Sequence, residues 1–355
     1  MYKLDTIHNI NININNFKNR IITRYPQIYD IPKLMIFNKK NKEIIHDKII
    51  NLDKYFNKND LIIINDSKAY PIKYKAYKIK NNIKSYIDIY LKKEINSKEN
   101  IWDVLVNPAR KVRIGNKLFF KINKNDIITS EVLNNTTSKG RILKFLYERN
   151  NFLFKKKFFP SGKFLLHTFT KKHYDISNKY YENSYSKKIG SIIFPTSGAY
   201  IDKNILLKLK LKNVNIFKIT YHLSYNQLNK TYNKKFKKKP FNNEKLIILN
   251  KELKKIKNKK FNNICCIGIN TLKAIENLIS IKYNIIEYNG YLNNNIDYLY
   301  KYKKINSLLT YFNNPNTNNF MVLYNLCGKY INYIYNEAIN NNYKFNIYGD
   351  LLLVI

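Results

Sequence analysis

Three cysteines, Cys265, Cys266 and Cys327, are all that 355 residues provide, in odd number and without C-x-x-C spacing. A disulfide scaffold is thereby excluded, and a reduced, cytoplasmic protein is expected. Histidine is nearly as scarce, at five. His167 and His173 lie in a lysine-rich stretch and read as solvated surface, so no metal is expected. The N-terminus carries no apolar leader core, and no apolar run approaches a membrane span. The largest deficit is acidic: 24 Asp and Glu stand against 64 Lys and Arg, a formal net charge of +40. Such an excess attracts nucleic acid or an anionic membrane surface. Its weight is reduced because the basic residues are almost all lysine, beside abundant Asn, Ile, Tyr and Phe. An A/T-rich genome would enrich that set without selection for function.

What is present suffices for a folded core. The hydrophobic fraction is 45%, and the length allows about two domains of roughly 150 residues. Leu61-Ile62-Ile63-Ile64 reads as a buried strand ending in the polar run Asn65-Asp66-Ser67-Lys68. Between Tyr74 and Tyr147 the pattern is one of short β segments: Tyr86–Leu91, Trp102–Val106, Lys117–Ile122, Ile127–Leu133 and Arg141–Leu146. Turn signals at Asn107-Pro108, Gly115-Asn116 and Ser138-Lys139-Gly140 separate them. No helix intervenes, so a small all-β domain over 73–149 is expected within a discontinuous α/β domain of 1–72 and 150–355. The second half alternates strands (Val214–Leu223, Ile264–Ile269, Ser307–Phe312, Leu351–Ile355) with helices. One long helix is expected to place Phe320, Leu323, Tyr324, Cys327, Ile331, Ile334 and Ala338 on one face.

The stretch Gly190–Tyr200, G-S-I-I-F-P-T-S-G-A-Y, organises this half. Ser191–Phe194 reads as a strand stopped by Pro195, Thr196-Ser197-Gly198 as a turn, and Asp202 as the N-cap of a helix over Lys203–Lys212. Parallel strands release their loops at one edge, where ligands bind. Pro195–Gly198, His222–Gln227, Gly268–Thr271 and Thr310–Asn313 are therefore expected to converge, offering hydroxyls, amides and helix N-termini to a ligand with hydroxyls and an anionic group. His222 is the only histidine among them. It is the first candidate for proton transfer, the other reading being a histidine that packs under a loop.

In order along the chain, these residues resemble the S-adenosylmethionine:tRNA ribosyltransferase-isomerase family of queuosine biosynthesis. The resemblance runs through Asn65-Asp66-Ser67-Lys68 with Tyr70-Pro71, Trp102–Lys111, Ile114–Leu118 and Asn135–Arg141. It continues with Pro195-Thr196 and Gly198, Thr220 and His222, Gly268 with Thr271 and Ala274-Ile275-Glu276, and Tyr348-Gly349-Asp350. It implies a large barrel-like α/β catalytic domain with a smaller all-β domain inserted. It also implies transfer and isomerisation of the ribosyl group of S-adenosylmethionine, a co-substrate rather than a bound cofactor. The acceptor is 7-aminomethyl-7-deazaguanine at the wobble position of a tRNA anticodon stem-loop, and the products are epoxyqueuosine, adenine and methionine.

On the same basis a monomer is expected. His222, with Glu244 and Asp202 as secondary candidates, would carry proton transfer, while Thr196, Ser197, Gly198, Thr271, Lys273 and Asp350 would hold the co-substrate. The chain departs from the family pattern at Tyr200, where the family usually has histidine, and at Lys273, where it has arginine. It departs again at Ser224–Leu228, in place of a glycine-rich loop, and at Asn313, in place of histidine. A relative that binds tRNA without the chemistry, and a generic basic RNA-binding module, are the other readings.

Overall fold

The computed structural model describes residues 12, 18, 31–164, 182–223, 245–248, 250–280, 288–289, 300–315, 317–345 and 347–355. In chain order the strands begin with β1 (Lys33–Phe37), β2 (Ile44–Lys48), β3 (Leu61–Asn65) and β4 (Ser67–Ala69). There follow β5 (Lys73–Lys80), β6 (Ile83–Asn96), β7 (Ile101–Asn107), β8 (Lys117–Lys121), β9 (Ile127–Asn135) and β10 (Gly140–Leu146), then helix α1 (Asn151–Phe158). The second half holds β11 (Lys188–Ser191), α2 (Lys203–Leu211), β12 (Asn215–His222), β13 (Lys245–Ile247), α3 (Asn250–Asn258), β14 (Ile264–Ile267) and α4 (Ile269–Ser280). It closes with β15 (Tyr288–Asn289), β16 (Ser307–Tyr311), α5 (Asn318–Cys327), α6 (Ile331–Asn340) and β17 (Leu351–Val354).

Two compact units emerge: Met1–Lys68 with Thr168–Ile189 and Phe194–Ile355, and Ala69–His167 with Gly190–Ile193. The first is built on a mixed nine-stranded sheet in the order β15-β13-β12-β3-β14-β16-β17-β1-β2. The barrel-like form expected for this unit is not what the described strands make; their order is open, and the closed barrel lies in the other unit. Strands β12, β3, β14 and β16 run parallel. Such strands are covered on both faces and read as continuous apolar runs, which is why all five residues of β3 are buried. Alternate residues divide the two faces. Ile62, Ile64, Cys265, Ile267, Leu309, Leu351 and Leu353 pack with Ile205 and Leu209 of α2 on one side. Asp202 caps α2, its carboxylate accepting from the Ile205 N–H at 2.8 Å.

The long helix expected near the C-terminus is two helices. Gly328 takes φ +58° between α5 and α6, a left-handed conformation that glycine adopts without steric cost. The apolar periodicity continues through the break because a short 3₁₀ turn, Gly328–Tyr330, joins the helices. The expected strand Ser191–Phe194 is also displaced, since β11 ends at Ser191. The Ser191 hydroxyl donates to the Ile193 carbonyl at 2.5 Å. That local bond competes with a strand ladder, while Ile192, Ile193 and Phe194 stay buried.

The second unit is a closed six-stranded barrel, β10-β7-β6-β5-β8-β9, every pair antiparallel. Alternation sends Trp102, Val104 and Val106 of β7 inward and Ile101, Asp103 and Leu105 outward. Asn150 caps α1 by accepting from Leu153 N–H. Phe154 and Phe158 of α1 are buried at i, i+4 spacing, and Phe158 stacks on Tyr74 with centroids 4.2 Å apart. Residues 150–158 therefore fold with the barrel, and strand β5, absent from the expected set, completes it.

Candidate active site

Strands β12, β3, β14 and β16 end at one edge of the sheet, and β17, antiparallel to β16, begins there. Each strand end contributes a polar group, and the most ordered set lies at β3. The Asn65 amide accepts from Tyr221 N–H at 2.9 Å and donates to the Tyr221 carbonyl at 2.9 Å, so it continues the β3–β12 ladder with its side chain. The same amide oxygen accepts from Ser67 N–H at 3.1 Å. Asp66 accepts from the Thr220 hydroxyl at 2.6 Å, and both residues are buried. Beside them the Ser67 hydroxyl lies 2.7 Å from Nδ1 of the half-buried His222. Where Nδ1–H is the donor in this bond, Nε2 is the nitrogen able to accept a proton.

The turn Thr196–Gly198 comes to the same edge by two contacts. The Tyr311 hydroxyl donates to the Thr196 carbonyl at 3.0 Å. Burial pushes the Tyr311 phenol up, so it is a neutral donor at physiological pH. Ser197 packs on Gly268, where an added Cβ would lie 3.2 Å from both Cβ and Oγ of Ser197. Gly268 has φ +91° and opens directly into α4. The first N–H groups of α4 have no partner within the helix, and the Ser197 hydroxyl and the buried Thr271 stand beside them. Gly198 has a structural reason of its own, because a Cβ there would fall 1.7 Å from the Tyr185 hydroxyl.

The remaining expected site residues are placed less centrally. Asp202 is engaged as the α2 cap. Lys273 reaches Asn319 Oδ1 at 3.3 Å. Asp350 lies at the edge, and its two oxygens accept from the Lys33 and Lys344 N–H groups, each at 2.7 Å. It thus ties the starts of β1 and β17 together. Glu244, the Ser224–Leu228 stretch, His167 and His173 lie outside the described residues. Tyr200 donates to the Tyr348 carbonyl at 2.6 Å, with Tyr348 itself at φ +65°. Its ring meets Tyr311 edge-on at 6.3 Å.

Asp66 and Ser67 were not among the expected site residues. The signal for them was a polar run placed directly after an all-apolar strand. Glu276 was also passed over as a functional group. Fully buried on α4, it accepts from the Lys303, Lys304 and Ile305 N–H groups and the Tyr300 hydroxyl. Cys265 and Cys266 are buried, and burial pushes both thiols far above their usual range, so neither is a nucleophile at neutral pH. Among the described residues no cluster of three metal-ligating side chains occurs, and no helix is long and apolar enough to cross a membrane.

Hydroxyls, a histidine held through Nδ1 and a helix N-terminus form a site suited to a polar nucleoside-like ligand. The profile of the family described as queuosine biosynthesis protein matches residues 17–354. A protein of Flavobacterium psychrophilum named S-adenosylmethionine:tRNA ribosyltransferase-isomerase is 29% identical over 345 residues, covering 96% of this chain and 98% of its own length. One of the same name from Amoebophilus asiaticus is 31% identical over 332 residues, covering 91% and 92%. A crystal structure of an S-adenosylmethionine tRNA ribosyltransferase from Thermotoga maritima shares the fold at TM-score 0.52 and 21% identity, over 96% of this chain and all of that one. The chain belongs to the queuosine biosynthesis protein family.

Proposed function

We infer that the chain transfers and isomerises the ribosyl group of S-adenosylmethionine onto 7-aminomethyl-7-deazaguanine of tRNA, giving epoxyqueuosine-tRNA. The observation that carries the reading is full-length membership of the family together with the ordered Ser67–His222 pair at the sheet edge. A carbon bonded to a sulfonium is acidified by the adjacent positive charge, so a base placed near the ribose can start the reaction. His222 is assigned that base, with Nε2 as the accepting atom and Ser67 holding Nδ1. Thr196, Ser197 and Thr271 are assigned to the ribose hydroxyls, and the N-terminus of α4 to the methionine carboxylate. Lys273, beside that terminus, adds positive charge.

Gly198 shapes the turn, and Asp202 and Asp350 hold the segments that carry the site. Glu244 is kept as a second candidate for proton transfer. The RNA partner is an anticodon stem-loop bearing the deazaguanine, drawn to the protein by its net charge of +40.

Incubation of the purified chain with S-adenosylmethionine and precursor-bearing tRNA, followed by nucleoside mass spectrometry, tests the reading. Epoxyqueuosine and free adenine are the expected products. A folded protein that binds the tRNA but yields neither overturns it in favour of a binding-only relative. An observation on that side, beside the departures at Lys273 and Asn313, is the Tyr200 side chain, committed to the Tyr348 carbonyl where the family has histidine.

A further inference from the structure

The outer face of the barrel carries a row of aromatic rings that its core does not use. Along β5 the inward residues are Tyr74 and Ala76, so Lys75, Tyr77 and Ile79 face outward. On β6 the inward set Ile87, Ile89 and Leu91 leaves Lys84 and Tyr86 outside, and on β8 the inward pair Leu118 and Phe120 leaves Phe119 and Lys121 outside. Register places Tyr77 directly opposite Tyr86 on one neighbour and Phe119 on the other. The rings touch: Tyr77 and Phe119 stack at 5.5 Å and 27°, and Tyr77 and Tyr86 meet at 6.2 Å. Strands about 4.8 Å apart make this a row of about 10 Å.

Cross-strand pairing accounts for the half-buried Tyr77 and Phe119. It does not account for Tyr86, which is 66% exposed, nor for Ile79 on the same face at 50%. The Lys84 ammonium lies 5.1 Å from the Tyr77 ring centroid, which puts a cation next to the aromatic row. Lys75 is opposite Asp88, while Lys84 and Lys121 stand opposite Ile79 and Ile127 and carry charge with no acidic cross-strand neighbour. Protein-binding patches are depleted of lysine at their centre. Rings with flanking cations are instead the arrangement that stacks unpaired bases and meets their phosphates.

We propose that the Tyr86-Tyr77-Phe119 row with Lys84 and Lys121 is a stacking platform for unpaired bases of an RNA, separate from the strand-edge site of the sheet. The proposal rests on the reading that the chain acts on RNA, and adds a binding surface to it. The test measures affinity of the full chain for labelled tRNA by fluorescence anisotropy, with Tyr86→Ala, Tyr86→Trp and Lys84→Ala variants.

Tyr86→Ala is expected to weaken tRNA binding about tenfold, and Tyr86→Trp to restore it, because each base stacked on a ring contributes at that scale. Affinity for an unstructured oligouridine falls in step, affinity for a perfect RNA duplex does not, and S-adenosylmethionine affinity is unchanged. Tyr86→Ala binding tRNA within about twofold of the parent overturns the platform. So does a concentration-dependent dimer, seen by sedimentation, that Tyr86→Ala abolishes while tRNA affinity is kept. Failure of the catalytic reading is distinguishable: the parent would bind tRNA in a Tyr86-dependent manner and form no epoxyqueuosine.

Discussion

The hydroxyl of Ser67 lies 2.7 Å from Nδ1 of His222, bringing the first residue of β4 to the last residue of β12. Ser67 is fully buried, and its N–H is held by Asn65, so the imidazole is oriented from a fixed point. His222→Ala is expected to lower turnover by about 10²–10⁴, the usual contribution of a general base. Ser67→Ala should lower it less, with S-adenosylmethionine affinity unchanged and the pH–rate profile displaced because the tautomer is no longer set. Single-turnover epoxyqueuosine formation between pH 5.5 and 9 reads both. A Ser67→Ala profile superimposable on the parent's would remove Ser67 from the mechanism.

Gly198 sits where no side chain fits. An added Cβ would fall 1.7 Å from the Tyr185 hydroxyl and 3.0 Å from Asn183 Nδ2. Tyr185 is buried and Asn183 donates to the Pro195 carbonyl, so neither moves without cost. Gly198→Ala should therefore destabilise the chain by about 1–3 kcal/mol, the range for overpacking. Adding Tyr185→Phe removes the nearest atom and should recover part of the loss. Urea unfolding of the two variants checks this, and equal midpoints would show that the clash is relieved elsewhere.

The parts of this fold legible in the sequence are those where one force dominates. An all-apolar run such as Leu61–Ile64 admits little but a buried strand, and Asp202 before a periodic apolar stretch is a cap by its chemistry. Strand β5, K-Y-K-A-Y-K-I-K, was missed because its outward face is lysine and aromatic, so no clean polar alternation appears. The end of β11 was misplaced because the Ser191 hydroxyl bond to Ile193 leaves no mark in hydropathy. In the site, convergence of the strand ends followed from topology. Pairing of Ser67 with His222 and of Asp66 with Thr220 could not be read, because each joins residues more than 150 positions apart.

Glu276 ties α4 to the segment that leads into β16. Oε1 accepts from Lys304 and Ile305 N–H, and Oε2 from Lys303 N–H and the Tyr300 hydroxyl. In Glu276→Gln one oxygen becomes an NH₂ group facing two donors, whichever way the amide turns. Buried donors left without an acceptor cost about 1–3 kcal/mol. A loss in that range by chemical denaturation is expected, with weaker S-adenosylmethionine binding because the α4 N-terminus shifts. Undiminished stability would mean that water replaces the lost oxygen.

Asp350 gives the fold a pH dependence of definite sign. Burial raises its carboxyl above the ordinary carboxylate value, although the Lys344 and Lys33 N–H groups and nearby lysine charge pull it down. A folded-state value above the unfolded one means that the native chain holds this proton more tightly. The contribution is then fully present below the unfolded value of 3.8 and is lost as pH rises through the raised one. Asp350→Asn removes the titration while keeping one acceptor oxygen, so the variant is less stable overall but lacks this slope. Unfolding free energies measured from about pH 4 to pH 7 should fall more steeply with pH in the parent than in the variant. Parallel curves would show that Asp350 titrates alike in the folded and unfolded chain.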